Sequence, residues 1–279
     1  MAYKSILTVV TDAKSASAQI ETAIALTRRE DAHLDVLCVG IDYTQTGYYY
    51  GGAAAVLTQD AHNEAMAAAG KAEETVRQRL AQEDIRWAVE TSVSMVGALG
   101  GPVSMFARFS DLVVLQKPYG ESGSQAAEVI LESCLFEGHA PVLVVPGGSA
   151  STEYGKRIVL AWNQSDEALS AARAALPMLK SASVVNITII DPPAHGPERS
   201  DPGGLLSQFL ARHGVKAEVS VLARTLPRAS EILCRHARDI NADMVVMGAY
   251  GHSRFREAIL GGATRNMLEI ADLPVFMAH

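Results

Sequence analysis

A loop rich in small residues near the C-terminus has the residue types and the spacing of a phosphate-binding site. It follows the apolar run 244–247, and its candidate ligand-binding residues are Gly248, Gly251, His252, Gly261, Gly262 and Thr264. Glycines let backbone N–H groups approach an anion closely, and a hydroxyl adds a contact. A helix N-terminus favours negative charge. The same spacing also suits a plain turn followed by a break between helices, so both interpretations stay open at this point.

Other kinds of catalytic or binding motif are missing from the sequence. There is no Gly-Lys-Ser/Thr of a Walker loop, and no Gly-x-Gly-x-x-Gly opens a helix after the first predicted strand. The eight histidines form no i, i+4 pair, and Gly-x-Ser-x-Gly does not occur. With no nucleophile placed beside a general base, we expect no fast hydrolysis and no metal site.

Charge and composition restrict the possible partners. The chain has 24 Lys and Arg against 31 Asp and Glu, a net charge of −7, which argues against nucleic-acid binding. Residues 1–150 carry 10 basic and 18 acidic residues, whereas residues 151–279 carry 14 and 13, so the second half is the better place for a bound anion. No stretch approaches the ~20 apolar residues of a membrane helix.

The cysteines and the N-terminus suggest where the protein resides. Cys38, Cys134 and Cys234 are too few and too far apart for a disulfide framework or a zinc site. We expect buried free thiols, which suit a reducing compartment. The first apolar run is too short for a signal peptide. These observations predict a cytoplasmic protein.

The chain repeats itself, with three segments of the first half recurring in the second. The pairs are Lys4-Ser-Ile-Leu with Lys156-Arg-Ile-Val, Ser110-Asp-Leu-Val-Val with Ala242-Asp-Met-Val-Val, and Ala140-Pro-Val with Leu273-Pro-Val. This predicts two tandem modules, residues 1–148 and 153–279, joined by a small polar linker. The first module holds extra residues within 43–71, including the tyrosine run Tyr48–Tyr50, a candidate surface loop.

Val- and Ile-rich runs alternate with helical patterns in each module. The predicted strands are 4–10, 34–41, 86–93, 111–115 and 142–146 in the first module, and 156–162, 183–190, 216–222, 243–248 and 274–278 in the second. We expect an α/β fold: two copies of a five-stranded, mainly parallel sheet with helices on both faces. Ser165 is expected to cap a helix over 165–180, and Pro227 to lie near the first position of another. Ligands of such sheets bind beyond the carboxyl ends of the strands, where the strand order reverses.

Three segments of the second module together resemble the universal stress protein family. They are Gly248-x2-Gly251-x9-Gly261, the opening Lys156-Arg-Ile-Val-Leu-Ala-Trp-Asn-Gln-Ser, and the closing Leu273-Pro-Val-Phe. Because the repeats extend the likeness to both halves, the chain resembles a tandem member. The resemblance implies an adenine nucleotide alpha-hydrolase-like fold. It also implies bound ATP or a related adenine nucleotide, with or without Mg²⁺.

The resemblance also assigns expected roles to residues of the second module. The triphosphate would run along Gly248, Gly251 and Gly261, and His252 could contact it. Gly262 stands where the family usually has Ser or Thr, and Thr264 is a second small hydroxyl residue. The nucleoside would meet two further residues at the strand ends: Asn163, where the family often has Asp, and Asp191, beside the base.

The corresponding loop of the first module has lost these features. Gln116 stands near the position of the first glycine, and Glu121, Glu128 and Glu132 would repel a triphosphate, although Lys117 would offset part of this. At the turn after the opening strand, Asp12 is the acidic residue that the family often has there. We therefore expect the first module to be a structural partner. Residues 142–145 and 275–278 are expected to pair within one chain as a pseudo-dimer, and a homodimer is also possible.

Three functions remain open from the sequence. The first is an adenine-nucleotide-binding tandem universal stress protein with a role in stress response or signalling. The second is a slow ATPase or adenylyl-transfer enzyme. The third is a nucleotide-free interaction module in which both sites have degenerated.

Overall fold

The structure is a computed structural model that describes residues 2–43, 52–120, 123–148, 153–192, 201–251 and 262–279. The chain divides into two compact units. The first is formed mainly by Tyr3–Ala140, and the second by Pro141–Pro146 together with Ser151–His279. The tyrosine run Tyr48–Tyr50 and Glu121 lie outside the described residues.

The first unit is a parallel sheet flanked by helices, with the strand order β3-β2-β1-β4. The chain leaves β1 toward β3 and returns on the other side of β1, so the order reverses between β1 and β4. Its elements are β1 (Ser5–Val10), α1 (Ser17–Glu30), β2 (His33–Asp42), α2 (Gly52–Leu80), β3 (Arg86–Met95), α3 (Gly100–Ala107), β4 (Leu112–Gln116) and α4 (Gln125–Glu132).

The second unit repeats this order and adds a strand from the end of the first module, giving β5-β10-β9-β6-β7-β8. Its elements are β5 (Val142–Val145), β6 (Arg157–Ala161), α5 (Asp166–Ala174), α6 (Leu176–Ser181), β7 (Val184–Ile190), α7 (Gly204–Arg212), β8 (Ala217–Leu222), α8 (Ala229–Asp239), β9 (Met244–Gly248), α9 (Ala263–Ile270) and β10 (Val275–Ala278). The pairing of β5 with β10 within one chain is confirmed; it is antiparallel, with Leu143 opposite Phe276.

All ten predicted strands are present, within two residues of their expected ends. The central strands are long apolar runs because both of their faces are covered. Ile6 and Leu7 of β1, and Val245 and Val246 of β9, are completely buried. Such runs of β-branched and aliphatic residues have little alternative to a buried parallel strand. The mainly parallel α/β fold is thereby confirmed.

Two helix predictions were wrong in detail. The helix expected over 165–180 is two helices, with α5 ending at Ala174 and α6 beginning at Leu176. Pro177 causes the break, because it has no N–H to donate to the Arg173 carbonyl and its ring crowds that oxygen. Pro227 lies two residues before the start of α8, because Arg228 is still extended, with φ −105° and ψ 129°.

The cysteines are free and buried, as expected. Burial raises the pKa of the Cys38 thiol to about 12, which keeps it protonated near neutral pH. In the part of the chain that the structure describes, no helix is both long and apolar enough to cross a membrane. No group of His, Cys, Asp and Glu in that part is arranged to hold a metal ion.

Candidate functional site

The strand order of the second unit reverses between β6 and β9, so the carboxyl ends of these two strands flank a crevice. Trp162 and Asn163 follow β6, and the loop 249–251 follows β9. The predicted residues Asn163, Gly248, Gly251 and Thr264 therefore meet at one edge of the sheet. His252 and Gly261 lie outside the described residues.

Position 248 has no room for a side chain, because the first turn of α5 packs against it. A Cβ at this position would lie 2.6 Å from the Ala168 backbone nitrogen and 2.7 Å from the Glu167 carbonyl carbon. The first turn of α5 therefore rests directly on the end of β9. This close approach brings the N-terminus of α5 to the same edge as the candidate loop.

Gly251 faces a carboxylate. A Cβ at this position would lie 3.1 Å from Glu167 Oε2 and 3.5 Å from the carboxyl carbon. Glu167 is half-buried, in the first turn of α5. A negative charge therefore lies beside the loop backbone that the family resemblance assigns to the phosphates.

Thr264 connects the loop to α9. Its hydroxyl oxygen accepts a 3.0 Å hydrogen bond from the Tyr250 N–H, and its side chain is 1% exposed. Tyr250 has a positive φ of 53°, a conformation that costs energy for a non-glycine residue and needs support from its surroundings. Thr264 therefore holds the backbone that leads into Gly251, and it reaches any phosphate only through its remaining hydroxyl hydrogen.

Gly262 is the N-cap of α9, and no side chain caps this helix. A serine or threonine at an N-cap would normally accept a hydrogen bond from an N–H of the first turn. Glycine at this position supplies no such side-chain acceptor, and the N-terminus of a helix favours a negative charge.

Asn163 shapes the turn that starts α5. Its Oδ1 accepts the Ser165 N–H at 3.1 Å, and Ser165 in turn caps α5 by accepting the Ala168 N–H at 3.1 Å. The predicted capping role of Ser165 is confirmed. The exposed Asn163 amide keeps its two Nδ2 donors, which suit a ribose hydroxyl or a phosphate oxygen.

Asp191 ends β7 with a left-handed φ of 49°. Its N–H donates to the Leu222 carbonyl at 2.9 Å, so this group is already used within the sheet. An adenine edge at this position would meet the carbonyl and the exposed carboxylate of Asp191, and not its N–H.

Glu167 and Trp162 are further residues at this edge of the sheet, beyond those predicted to contact the nucleotide. Glu167 reads as an ordinary acidic residue in a first turn, and only the packing of α5 on Gly248 places it against the loop. Trp162 is 8% exposed, and its Nε1 has no hydrogen-bond partner among the described residues. Its position directly after β6 is the signal that could have marked it as part of the site.

Comparison with known proteins fits this geometry, since residues 155–279 match the model of the Universal stress protein family. The matched segment lies in the second unit and is slightly less than half of the chain. A universal stress protein of Synechocystis, Slr1230, is 35% identical over 72 residues, which are 26% of this chain and 24% of that protein. The chain thus matches about a quarter of the length of this curated relative.

Two solved structures share the fold over nearly the whole chain. A universal stress protein from Archaeoglobus fulgidus superimposes with a TM-score of 0.70 at 15% identity, covering 98% of this chain and 96% of that one. A putative universal stress protein from Pseudomonas aeruginosa gives a TM-score of 0.63 at 15% identity, covering 99% and 93%. At this level of identity the likeness shows the fold alone.

The corresponding edge of the first unit is closed by a side chain. Gln19 is 1% exposed; its amide donates to the Thr8 hydroxyl at 2.6 Å and to the Val9 carbonyl at 2.8 Å, and its Oε1 accepts the Gln116 N–H at 3.0 Å. This amide ties β1 to β4 where the strand order reverses. The cleft beside it is lined by Val9, Leu115, Ile130 and five other uncharged residues. Among the residues that line this cleft, none carries a positive charge that could pair with a triphosphate.

Asp12 stabilises a turn at this edge of the first unit by accepting backbone hydrogen bonds. Burial raises the pKa of its carboxyl group, but hydrogen bonds from the N–H groups of Ser15 and Lys14, at 3.1 and 3.4 Å, outweigh that effect and hold the pKa below its usual range. Asp12 thus plays the structural part that Asn163 plays in the second unit, and its charge is already stabilised by its own turn.

Proposed function

We propose that the second unit binds an adenine nucleotide, ATP, ADP or AMP, at the carboxyl ends of β6 and β9. The observation that carries the proposal is the hydrogen bond from the Tyr250 N–H to Thr264. It ties the loop after β9 to the first turn of α9, so that the backbone of Gly251 and a helix N-terminus that begins at a glycine lie at one edge of the sheet. Together with the family match, this favours an anionic nucleotide over a neutral ligand.

The described residues suggest how the nucleotide lies. Gly251 and the first turn of α9 are the phosphate side, and Asn163 offers amide donors to the ribose or to the α-phosphate. Asp191 marks the side of the base, since it ends the next strand of the sheet. His252 and Gly261 stay predicted phosphate contacts. A Mg²⁺ ion carried by the nucleotide would reduce the repulsion between its phosphates and Glu167.

Binding fits the site better than rapid catalysis. Among the described residues at this edge, no nucleophile lies beside a general base, so we expect at most slow ATP hydrolysis. We propose a role in stress response or signalling through nucleotide occupancy. The three buried free thiols agree with a reducing, cytoplasmic setting.

Two observations favour a nucleotide-free interaction module as the second candidate. The Glu167 carboxylate lies where phosphates would pass, and the Asp191 N–H is already used by Leu222. The two candidates differ in whether the purified protein takes up nucleotide at all.

Equilibrium dialysis of the full chain against labelled ATP, with and without Mg²⁺, tests the proposal. We expect saturable uptake of one nucleotide per chain, and its loss in Gly251→Val, which fills the space beside the loop. Gly97→Val is the matched control, because a Cβ there meets open space in the first unit. No saturable uptake of ATP, ADP or AMP by the wild-type chain would favour the nucleotide-free module instead.

A further inference from the structure

Among the described residues, strand β8 forms one edge of the sheet. It is the last strand in the order and pairs with β7 along one side only. The carbonyls of Lys216 and Leu222 accept hydrogen bonds from the N–H groups of Val185 and Asp191, in and just after β7. The backbone groups of the even-numbered residues of β8 therefore point toward β7. The N–H and C=O groups of Ala217, Val219 and Val221 therefore point away from the sheet, where another strand can pair with them.

Large apolar side chains lie along this edge. Val219 is 43% exposed and Val221 is 53% exposed, and Leu205 at the start of α7 is 66% exposed. Val219 lies on the face of the sheet covered by α7, since a Cβ built on Gly203 would be 3.8 Å from its Cγ1. Ser220 faces the other side, where it accepts a 2.9 Å hydrogen bond from the Asn186 amide. Exposed valines on a free edge are a liability unless another surface covers them.

The charges beside these valines have no partner within the described part of the chain. Glu218 and Arg224 are both exposed, and neither forms an ion pair with another described residue. They lie six positions apart, on either side of Val221. Two antiparallel copies of this segment can therefore bring opposite charges together.

We propose that two copies of this chain associate through antiparallel pairing of β8, with Val221 opposite Val221 of the second copy on the two-fold axis. This register places Val219 opposite Ala223, and Glu218 opposite Arg224, twice across the interface. Ala223 and Arg224 are the two residues that follow β8, and the Ala223 carbonyl also accepts the Thr225 N–H at 2.9 Å, so the proposed pairing extends the strand by these two residues. In this register the residues that exchange backbone hydrogen bonds across the interface are all odd-numbered. This agrees with the structure, because the backbone groups of the odd-numbered residues of β8 are the ones that point away from the sheet.

The charged residues favour this register over the two adjacent registers, which are centred on Ser220 and on Leu222. Centring the pair on Ser220 would place Lys216 opposite Arg224, two like charges, and Glu218 opposite Leu222. Centring it on Leu222 would place Arg224 opposite Ser220 and leave Glu218 opposite Leu226. Opposite charges across a pair of strands stabilise it and like charges destabilise it. The axis through Val221 is the one of these three that pairs Glu218 with Arg224.

Sedimentation equilibrium of the full chain and two charge reversals tests the proposal. We expect a concentration-dependent dimer in the wild type. Each of Glu218→Arg and Arg224→Glu replaces two attractive pairs by two repulsive ones, so each should raise the dissociation constant by about tenfold. An equimolar mixture of the two variants should associate as a heterodimer, because both cross-strand pairs are then attractive.

The controls separate this interface from other contacts and from misfolding. Glu90→Arg makes the same charge reversal on an exposed residue of β3, the edge strand of the first unit, and should leave the dimer unchanged. Unaltered circular dichroism would show that the variants fold. A wild-type chain that stays monomeric at high concentration would overturn the proposal, as would a dimer insensitive to both reversals or a mixture that fails to associate.

Discussion

Replacing Glu167 with glutamine is expected to strengthen the binding of ATP to the second unit. The carboxylate lies beside Gly251, with Oε2 3.1 Å from the Cβ position of that residue. A phosphate held by the Gly251 backbone would therefore stand close to a like charge. Glutamine has nearly the same shape but no charge, so the substitution removes the repulsion without opening a cavity.

The size of the effect follows from distance and exposure. A phosphate oxygen on Gly251 would lie roughly 4–6 Å from the carboxylate, where two unit charges repel by about 1 kcal/mol in water and about 3–4 kcal/mol near a protein surface. Because Glu167 is only half-buried, solvent screens the pair, and we take a value near the lower limit, about 1 kcal/mol. This corresponds to about fivefold tighter binding of ATP without Mg²⁺.

Isothermal titration calorimetry of the wild type and Glu167→Gln with ATP measures this difference, and adenosine is the uncharged comparison ligand. Asp166→Asn is the matched control: it removes a carboxylate from the same first turn of α5, and with it the same favourable interaction with the helix dipole. Equal gains for ATP and adenosine, or a gain as large in Asp166→Asn, would refute the electrostatic reasoning. A lack of ATP binding in both proteins would instead count against the proposed function.

Three further predictions concern stability. Gly248→Ala places a Cβ 2.6 Å from the Ala168 backbone, so we expect about 1–3 kcal/mol of destabilisation in urea unfolding, with Gly97→Ala near neutral as the comparison. Gln19→Leu leaves the partly buried Gln116 N–H without its acceptor, at a cost of about 1–3 kcal/mol, and a wild-type unfolding free energy would argue against its role in joining β1 to β4. The pKa of Asp12 is lowered in the folded state, so its contribution to stability is present above its unfolded pKa and is lost as the pH falls through the folded value. Asp12→Asn should therefore flatten the pH dependence of the unfolding free energy below about pH 4, and an unchanged acid profile would contradict this.

The strands could be predicted because their sequences allow little else. Runs such as Val245-Val-Met and Leu112-Val-Val-Leu are too short for a helix of their own and too apolar to be exposed. The pairing of β5 with β10 was also predictable, since each is an apolar strand that would otherwise leave an edge unpaired. The break at Pro177 was missed although its cause is local, because the apolar periodicity continues across it.

The site was only partly predictable. The glycines of the loop marked its place, but the same residue type serves two purposes there: Gly248 lets α5 rest on β9, and Gly251 lies open beside Glu167. Thr264 was expected to contact phosphate, and the structure shows that its oxygen first accepts the Tyr250 N–H. A residue type indicates which contacts are possible, and the neighbours decide which of them is made.

The sequence by itself determined the alternation of strands and helices, the repeat and the position of the glycine loop, because these depend on local spacing and on patterns of burial. Tertiary structure alone decided that Glu167 faces Gly251, that Gln19 closes the edge of the first unit and that β8 is the last strand in the described sheet order. These facts depend on which elements lie side by side, and that choice is made by long-range packing between residues far apart in the chain.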